Sequence, residues 1–263
     1  MLKRTVSLAL ALVMILCLFA SCDVVGTQMA EGVIDIADDE LSRADYTVNT
    51  TIVYSSSSEA LSAAISDVDE VSLTFEKKGH SSKSTLAMSI DGVAVESEYL
   101  ITAGVLYYTY TEAKGDQTYA VKEKVNLNAD ERAAIYEDLG IDAPLSHTDF
   151  DSVNLQSNGN VSIVTCEGIK EDSAVKMAEL VKSELGITGA DVAVVSAALK
   201  MRFTDGKYSN EYITVNYVIK LGETVYDLEM QFTREYDLTK PVEISAPADA
   251  DAYVKTTYDG LTK

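Results

Sequence analysis

The sequence predicts an α+β domain in which short helices cover the apolar face of an antiparallel β-sheet. Three observations predict it. Apolar and polar residues alternate with period two along most of the chain, Asp91-Gly92 and Asp205-Gly206 supply tight hairpin turns, and windows of helical period are few and short. A sheet with one apolar face must bury it against helices or a second sheet.

The first segment is not part of that domain. Lys3 and Arg4 precede an apolar run from Val6 to Phe19, and Ala20-Ser21-Cys22 closes it. A basic end, a short apolar stretch and small residues before a cysteine read as a lipoprotein signal peptide over residues 1–21. Cys22 then becomes the lipidated N-terminus, carrying a diacylglyceryl thioether and acyl chains such as palmitate. Each buried methylene adds about 0.8 kcal/mol of membrane affinity. The expectation is a protein anchored outside the cytoplasm on the bacterial cell membrane. Residues 22–44 mix Asp35, Asp38, Asp39 and Glu40 with isolated aliphatics and are read as the lipidated end and a flexible tether. Residues 45–263 then form one domain.

From Tyr46, Val48, Thr50 and Ile52 alternate on one side of a strand. Ser56-x-x-Glu59 has the form of a capping box and opens a short helix carrying Leu61, Ala64 and Ile65. Val71, Leu73 and Phe75, then Leu86, Met88 and Ile90, mark two half-buried strands. The runs 96–101, 105–110 and 117–124 continue the meander. Asn128 caps a helix through Gly140, bearing Ala134, Ile135 and Leu139, and Pro144 blocks its continuation. A strand over Asn160 to Cys166 leads to a helix capped by Asp172 or Ser173, with Met177, Leu180, Val181 and Leu185 on one face and Gly186 beyond its end. Three long strands follow. Their inward sets are Leu199, Met201 and Phe203; Ile213, Val215, Tyr217 and Ile219; and Leu228, Met230 and Phe232. Leu221-Gly222 makes the last hairpin, and Pro241-Val242-Glu243-Ile244 is expected at an edge, where proline costs no ladder bond.

Charge narrows the partners. Removing residues 1–21 takes two of the 21 basic residues and none of the 42 acids, leaving a net charge of about −23. Such a chain lacks the basic stripe that nucleic acid requires. Fifteen tyrosines and abundant aliphatics nevertheless provide a core, so this is no disordered acidic tail. With Cys17 removed and Cys22 lipidated, Cys166 has no disulfide partner in the chain. Its apolar run, residues 161–166, suits a buried inert thiol.

No motif announces catalysis, and a non-enzymatic protein without cofactor is expected. His80 and His147 have no Cys, His or acid at metal-ligand spacing and are read as solvated imidazoles. No Gly-x-Ser-x-Gly elbow is present. The acid clusters 35–40, 67–70 and 249–251 lack the spacing and central glycine of a calcium loop. Tyr107, Tyr108 and Tyr110, with Tyr99 nearby, are the densest aromatic cluster. Alternation puts Tyr107 on one sheet face and Tyr108 and Tyr110 on the other.

The helix-then-strand start at residues 58–75, the tyrosine-rich meander, the late helix and the finish Pro241-Val242-Glu243-Ile244-Ser245-Ala246-Pro247-Ala248-Asp249-Ala250 together resemble the bacterial lipoprotein superfamily that includes LolA, LolB, LppX and LprG. The likeness covers about residues 56–253. It implies a strongly curved antiparallel sheet, a half-barrel, whose concave face is covered by helices and can take acyl chains. It transfers no catalytic residue. The candidate apolar lining is Phe75, Leu86, Met88 and Ile90 in the first half of the domain, Met177 and Leu180 on the late helix, and Met201, Phe203, Val215, Tyr217, Met230 and Phe232 on the last strands. The expected partners are the membrane through the N-terminal lipid and an apolar ligand such as a lipid acyl chain. The alternative is an envelope protein bound to an acidic, Tyr-bearing sheet face without a ligand cavity.

Overall fold

The computed structural model describes residues 27–59, 61–62, 71–90, 92–138, 144–184, 187 and 189–258. The signal segment, Cys22, Ala64, Ile65, Asp91, Leu139, Gly140, Leu185 and Gly186 lie outside the described residues. Helix α1 covers 27–43 and is followed by β1 (Tyr46–Ser55), β2 (Val71–Lys78), β3 (Ser81–Ile90), β4 (Val93–Thr102), β5 (Val105–Lys114) and β6 (Gln117–Asn126). Then come α2 (Ala129–Asp138), β7 (Phe150–Asn158), β8 (Val161–Ile169), α3 (Glu171–Glu184), β9 (Asp191–Thr204), β10 (Lys207–Leu221), β11 (Thr224–Asp237) and β12 (Val254–Lys255).

The strands form one open, curved sheet in the order β12-β6-β5-β4-β3-β2-β1-β11-β10-β9-β8-β7. It is two antiparallel meanders, β1–β6 and β7–β11, joined where β1 pairs with β11 from Thr47↔Asp237 to Ser55↔Glu229. Because register fixes which side chains share a face, one transverse row runs Val164, Met201, Glu211, Arg234, Thr50, Leu73 and Leu86. This is the core face. The predicted inward sets of β9, β10 and β11 are buried or half-buried on it.

Two clusters bury the apolar residues. The larger joins β7–β11 to Ala30, Ile34 and Ala37 of α1 and to Met177, Ala178 and Val181 of α3. The smaller gathers Ile101, Leu106, Tyr108 and Val125 of β4–β6 with Leu127 and with Ile135 of α2. α2 is closed by a reciprocal box: the Glu131 N–H donates to Asn128 Oδ1 at 2.9 Å, and the Asn128 N–H donates to Glu131 Oε2 at 2.8 Å.

Four sequence expectations are corrected. The tether over 22–44 is helical from residue 27, since Ala30, Ile34, Ala37 and Leu41, spaced four, three and four, form one seam. Two small alanines and the acids set between the seam residues hide that stripe in the sequence. Strand β7 was not expected; its alternation slips at Asp151, which packs against Gly168 where β7 meets β8. α3 begins at Glu171, so Asp172 and Ser173 are in its first turn, with Ser173 Oγ donating to Asp149 at 2.7 Å. Residues 241–244 form no strand. Both sides of β11 are already paired, with β1 and β10, so the chain beyond it has to travel to the free side of β6 before pairing as β12.

Candidate functional site

The site is a pocket of about 420 Å³ on the core face, between α1, the junction of the two meanders and the segment that enters β7. That volume lies within the range of about 300–1,000 Å³ typical of small-molecule sites. Its apolar lining comes from Ile34 and Leu41 of α1, Val48 of β1, Phe75 of β2, Leu145 and Met201. Aromatic walls come from Tyr46, Tyr208 and Tyr236, with Ser146 and His147 beside them. Tyr208 lies between two rings, 4.9 Å from Phe203 and 5.0 Å from Tyr236, the latter pair stacked.

Charge is placed in this apolar setting by the strand pattern itself. Glu211 is in phase with Ile213 and Val215 on β10, and Arg234 is in phase with Phe232 and Met230 on β11, so both side chains point to the core face. The two residues face each other in register, and Arg234 Nη1 meets Glu211 Oε2 at 3.0 Å. The Tyr236 hydroxyl donates to the same oxygen at 3.0 Å, and the Arg234 guanidinium lies 5.4 Å from the Tyr236 ring centroid. On the α1 side, the Tyr208 hydroxyl donates to Asp38 at 2.9 Å. Burial, followed by the Asp38 charge and hydrogen bond, raises the Tyr208 pKa far above its ordinary value. Burial likewise raises that of Tyr236, and the Glu211 charge reinforces the effect. Both phenols therefore stay protonated and act as fixed donors to carboxylates.

Of the twelve candidate lining residues, Phe75 and Met201 line this pocket. Met177, Phe203, Val215, Tyr217 and Met230 are packed in the larger cluster, with Phe232 half-buried against it. Leu86 and Met88 are half-buried farther along the core face of β3. Ile90 is exposed at the strand's end, and Leu180 is turned outward from α3 with 38% of its surface exposed. His80 is exposed in the β2–β3 turn, whereas His147 is half-buried in the pocket, contrary to the expectation of a solvated imidazole. The tyrosine cluster divides as alternation predicts. Tyr108 is buried in the smaller core, while Tyr107 on the opposite face meets Tyr253 edge-on at 5.4 Å.

The sequence reading missed Asp38, Glu211, Arg234, Tyr46, Tyr208 and Tyr236. A signal for two of them was present: an acid and an arginine each interrupt the apolar set of a long strand, which is costly unless they meet. Among the described residues, no three His, Cys, Asp or Glu converge as a metal site. Comparison of the sequence with models of known families and with curated proteins gives no match.

Proposed function

We propose that this chain is a non-enzymatic, membrane-anchored extracytoplasmic lipoprotein of the LolA and LppX type that binds an apolar ligand, such as a lipid acyl chain, in a half-barrel. In this reading Cys22 carries the lipid, the sheet curves around its core face, and α1 and α3 cover its concavity. The observation that carries the ligand reading is the pocket beneath α1. It has apolar walls on α1, β1, β2 and β9, and a preformed concave site with a few fixed polar groups is the usual form of a small-molecule site.

Native mass spectrometry of the protein after mild extraction tests the reading. A co-purifying apolar species is expected, and it should be lost when the pocket is filled by Val48→Trp in a variant that retains its thermal transition. A ligand-free protein that binds no amphiphile in titration would overturn the carrier reading. The alternative, an envelope protein bound to an acidic, Tyr-bearing sheet face without a ligand cavity, would rest on exposed strand tyrosines such as Tyr119 and Tyr212.

A further inference from the structure

We infer that the pocket selects ligands with a cationic head, an amine or ammonium on an apolar tail, and rejects anionic amphiphiles of equal length. The inference rests on the ligand-pocket reading above and adds the chemistry of the ligand's polar end.

Three observations lead to it. Among the described residues Asp38, exposed on the α1 side of the pocket, has one donor, the neutral Tyr208 hydroxyl, while its neighbours Asp39 and Glu40 are paired with Arg43 and Lys207. Among the described residues no cation lies within ion-pair distance of Asp38. Arg234 and Glu211 neutralise each other, so an incoming head meets a paired arginine and glutamate and, on the α1 side, the Asp38 carboxylate.

The second observation is aromatic. Ring faces carry negative electrostatic potential and attract cations. This protein already places its own cations on two rings of the pocket, Lys77 at 5.5 Å from the Tyr46 centroid and Arg234 at 5.4 Å from that of Tyr236. Those two faces are taken, and Tyr208 lies between the Phe203 and Tyr236 rings, so it turns its hydroxyl edge to Asp38 while Phe75 continues the wall. A head entering beside Asp38 would thus meet that carboxylate and the edge of Tyr208, while its tail would lie along Ile34, Leu41 and Val48.

The third is long-range. A net charge of −21 over the whole chain repels anions and raises the local concentration of cations at a cleft bordered by acids. Nonspecific attraction of that kind must be separated from recognition at the site, which sets the design of the test.

Calorimetric titration of the chain begun at residue 23, which keeps every described element, would use three probes with one ten-carbon tail below their micelle concentrations: decyltrimethylammonium, decyl maltoside and decyl sulfate. The expected order is ammonium tightest, maltoside intermediate and sulfate weakest. Asp38→Asn retains an acceptor for Tyr208 and should weaken the ammonium about tenfold while leaving the maltoside unchanged. Asp39→Asn removes the same charge outside the pocket and should leave both unchanged. Equal affinity for ammonium and maltoside, or equal losses from the Asp38 and Asp39 variants, would overturn the head-group selectivity and leave the pocket reading standing. No binding of any probe would overturn the pocket reading itself.

Discussion

Glu211 and Arg234 are directly opposed on neighbouring strands, and their ion pair closes at 3.0 Å inside an otherwise apolar row. Both side chains are nearly buried, so each has given up hydration that the ion pair and the Tyr236 hydroxyl help to replace. Arg234→Met should therefore cost about 3–5 kcal/mol, because it strands a buried carboxylate. The double variant Glu211→Leu with Arg234→Met should recover much of that loss. Urea unfolding midpoints of the three proteins check this; an additive double variant would show that the two charges do not depend on each other.

α1 is the element whose removal separates a tether from a structural helix. Ile34 is 1% exposed and shares the large cluster with Ala30 and Ala37. Ile34→Ala should cost about 2–5 kcal/mol, and deletion of residues 23–44 should lower the thermal transition sharply. A deleted protein that melts like the intact one would return this segment to the role of a linker.

What was legible in the sequence and what was not divide along physical lines. Period two fixed the inward residues of β9–β11 because Leu199, Val215 and Met230 belong to long uninterrupted alternations. The α1 seam was concealed because Ala30, Ile34, Ala37 and Leu41 are interleaved with Asp35, Asp38, Asp39 and Glu40. The pocket was concealed for a different reason. Asp38 and Glu211 lie 173 positions apart in sequence, and the pairing of β1 with β11 that brings their elements together is a long-range choice that local alternation does not encode.

Alkaline pH should destabilise the fold from about pH 8.5 upward, where unfolded thiols and then phenols begin to ionise. Burial and then the Glu211 charge push the Cys166 thiol up to about 12, and burial raises Tyr208 and Tyr236 as well. A raised folded pKa favours the protonated native form, so this contribution is complete below the unfolded value and is lost as pH rises through the interval to the folded one. Each group adds at most about 1.4 kcal/mol per pH unit to the slope. Unfolding midpoints measured from pH 7 to 11 should fall. Cys166→Ala should flatten the decline, and an unchanged slope would rule the thiol out of it.

The same burial makes Cys166 unreactive. In the chain begun at residue 23 it is the sole cysteine, so a thiol reagent reads it alone. Modification at pH 8 should be negligible in the native protein and complete in denaturant. Rapid labelling of the folded protein would contradict the closed core around Leu199 and Val164.

The C-terminal segment guards the sheet's β6 edge. β12 pairs in parallel with β6 through Val254↔Glu123 and Lys255↔Lys124, and Lys124 Nζ donates to the Ala250 carbonyl at 2.7 Å. Tyr253 supplies the hold: it is buried, shares a 2.9 Å hydrogen bond with the Thr109 hydroxyl, and meets the Tyr107 ring edge-on. An exposed strand edge is a template for intermolecular pairing, and β6 carries Tyr119 and Val121 along its length. Truncation after Lys240 should therefore speed aggregation and raise hydrogen exchange at β6 amides more than at β10. Tyr253→Phe keeps the ring and loses the hydroxyl, so it should cost only about 1 kcal/mol and leave the edge protected. If the truncated chain stays monomeric with unchanged β6 exchange, β12 and Tyr253 are an ornament on a self-sufficient edge and the guarding role is wrong.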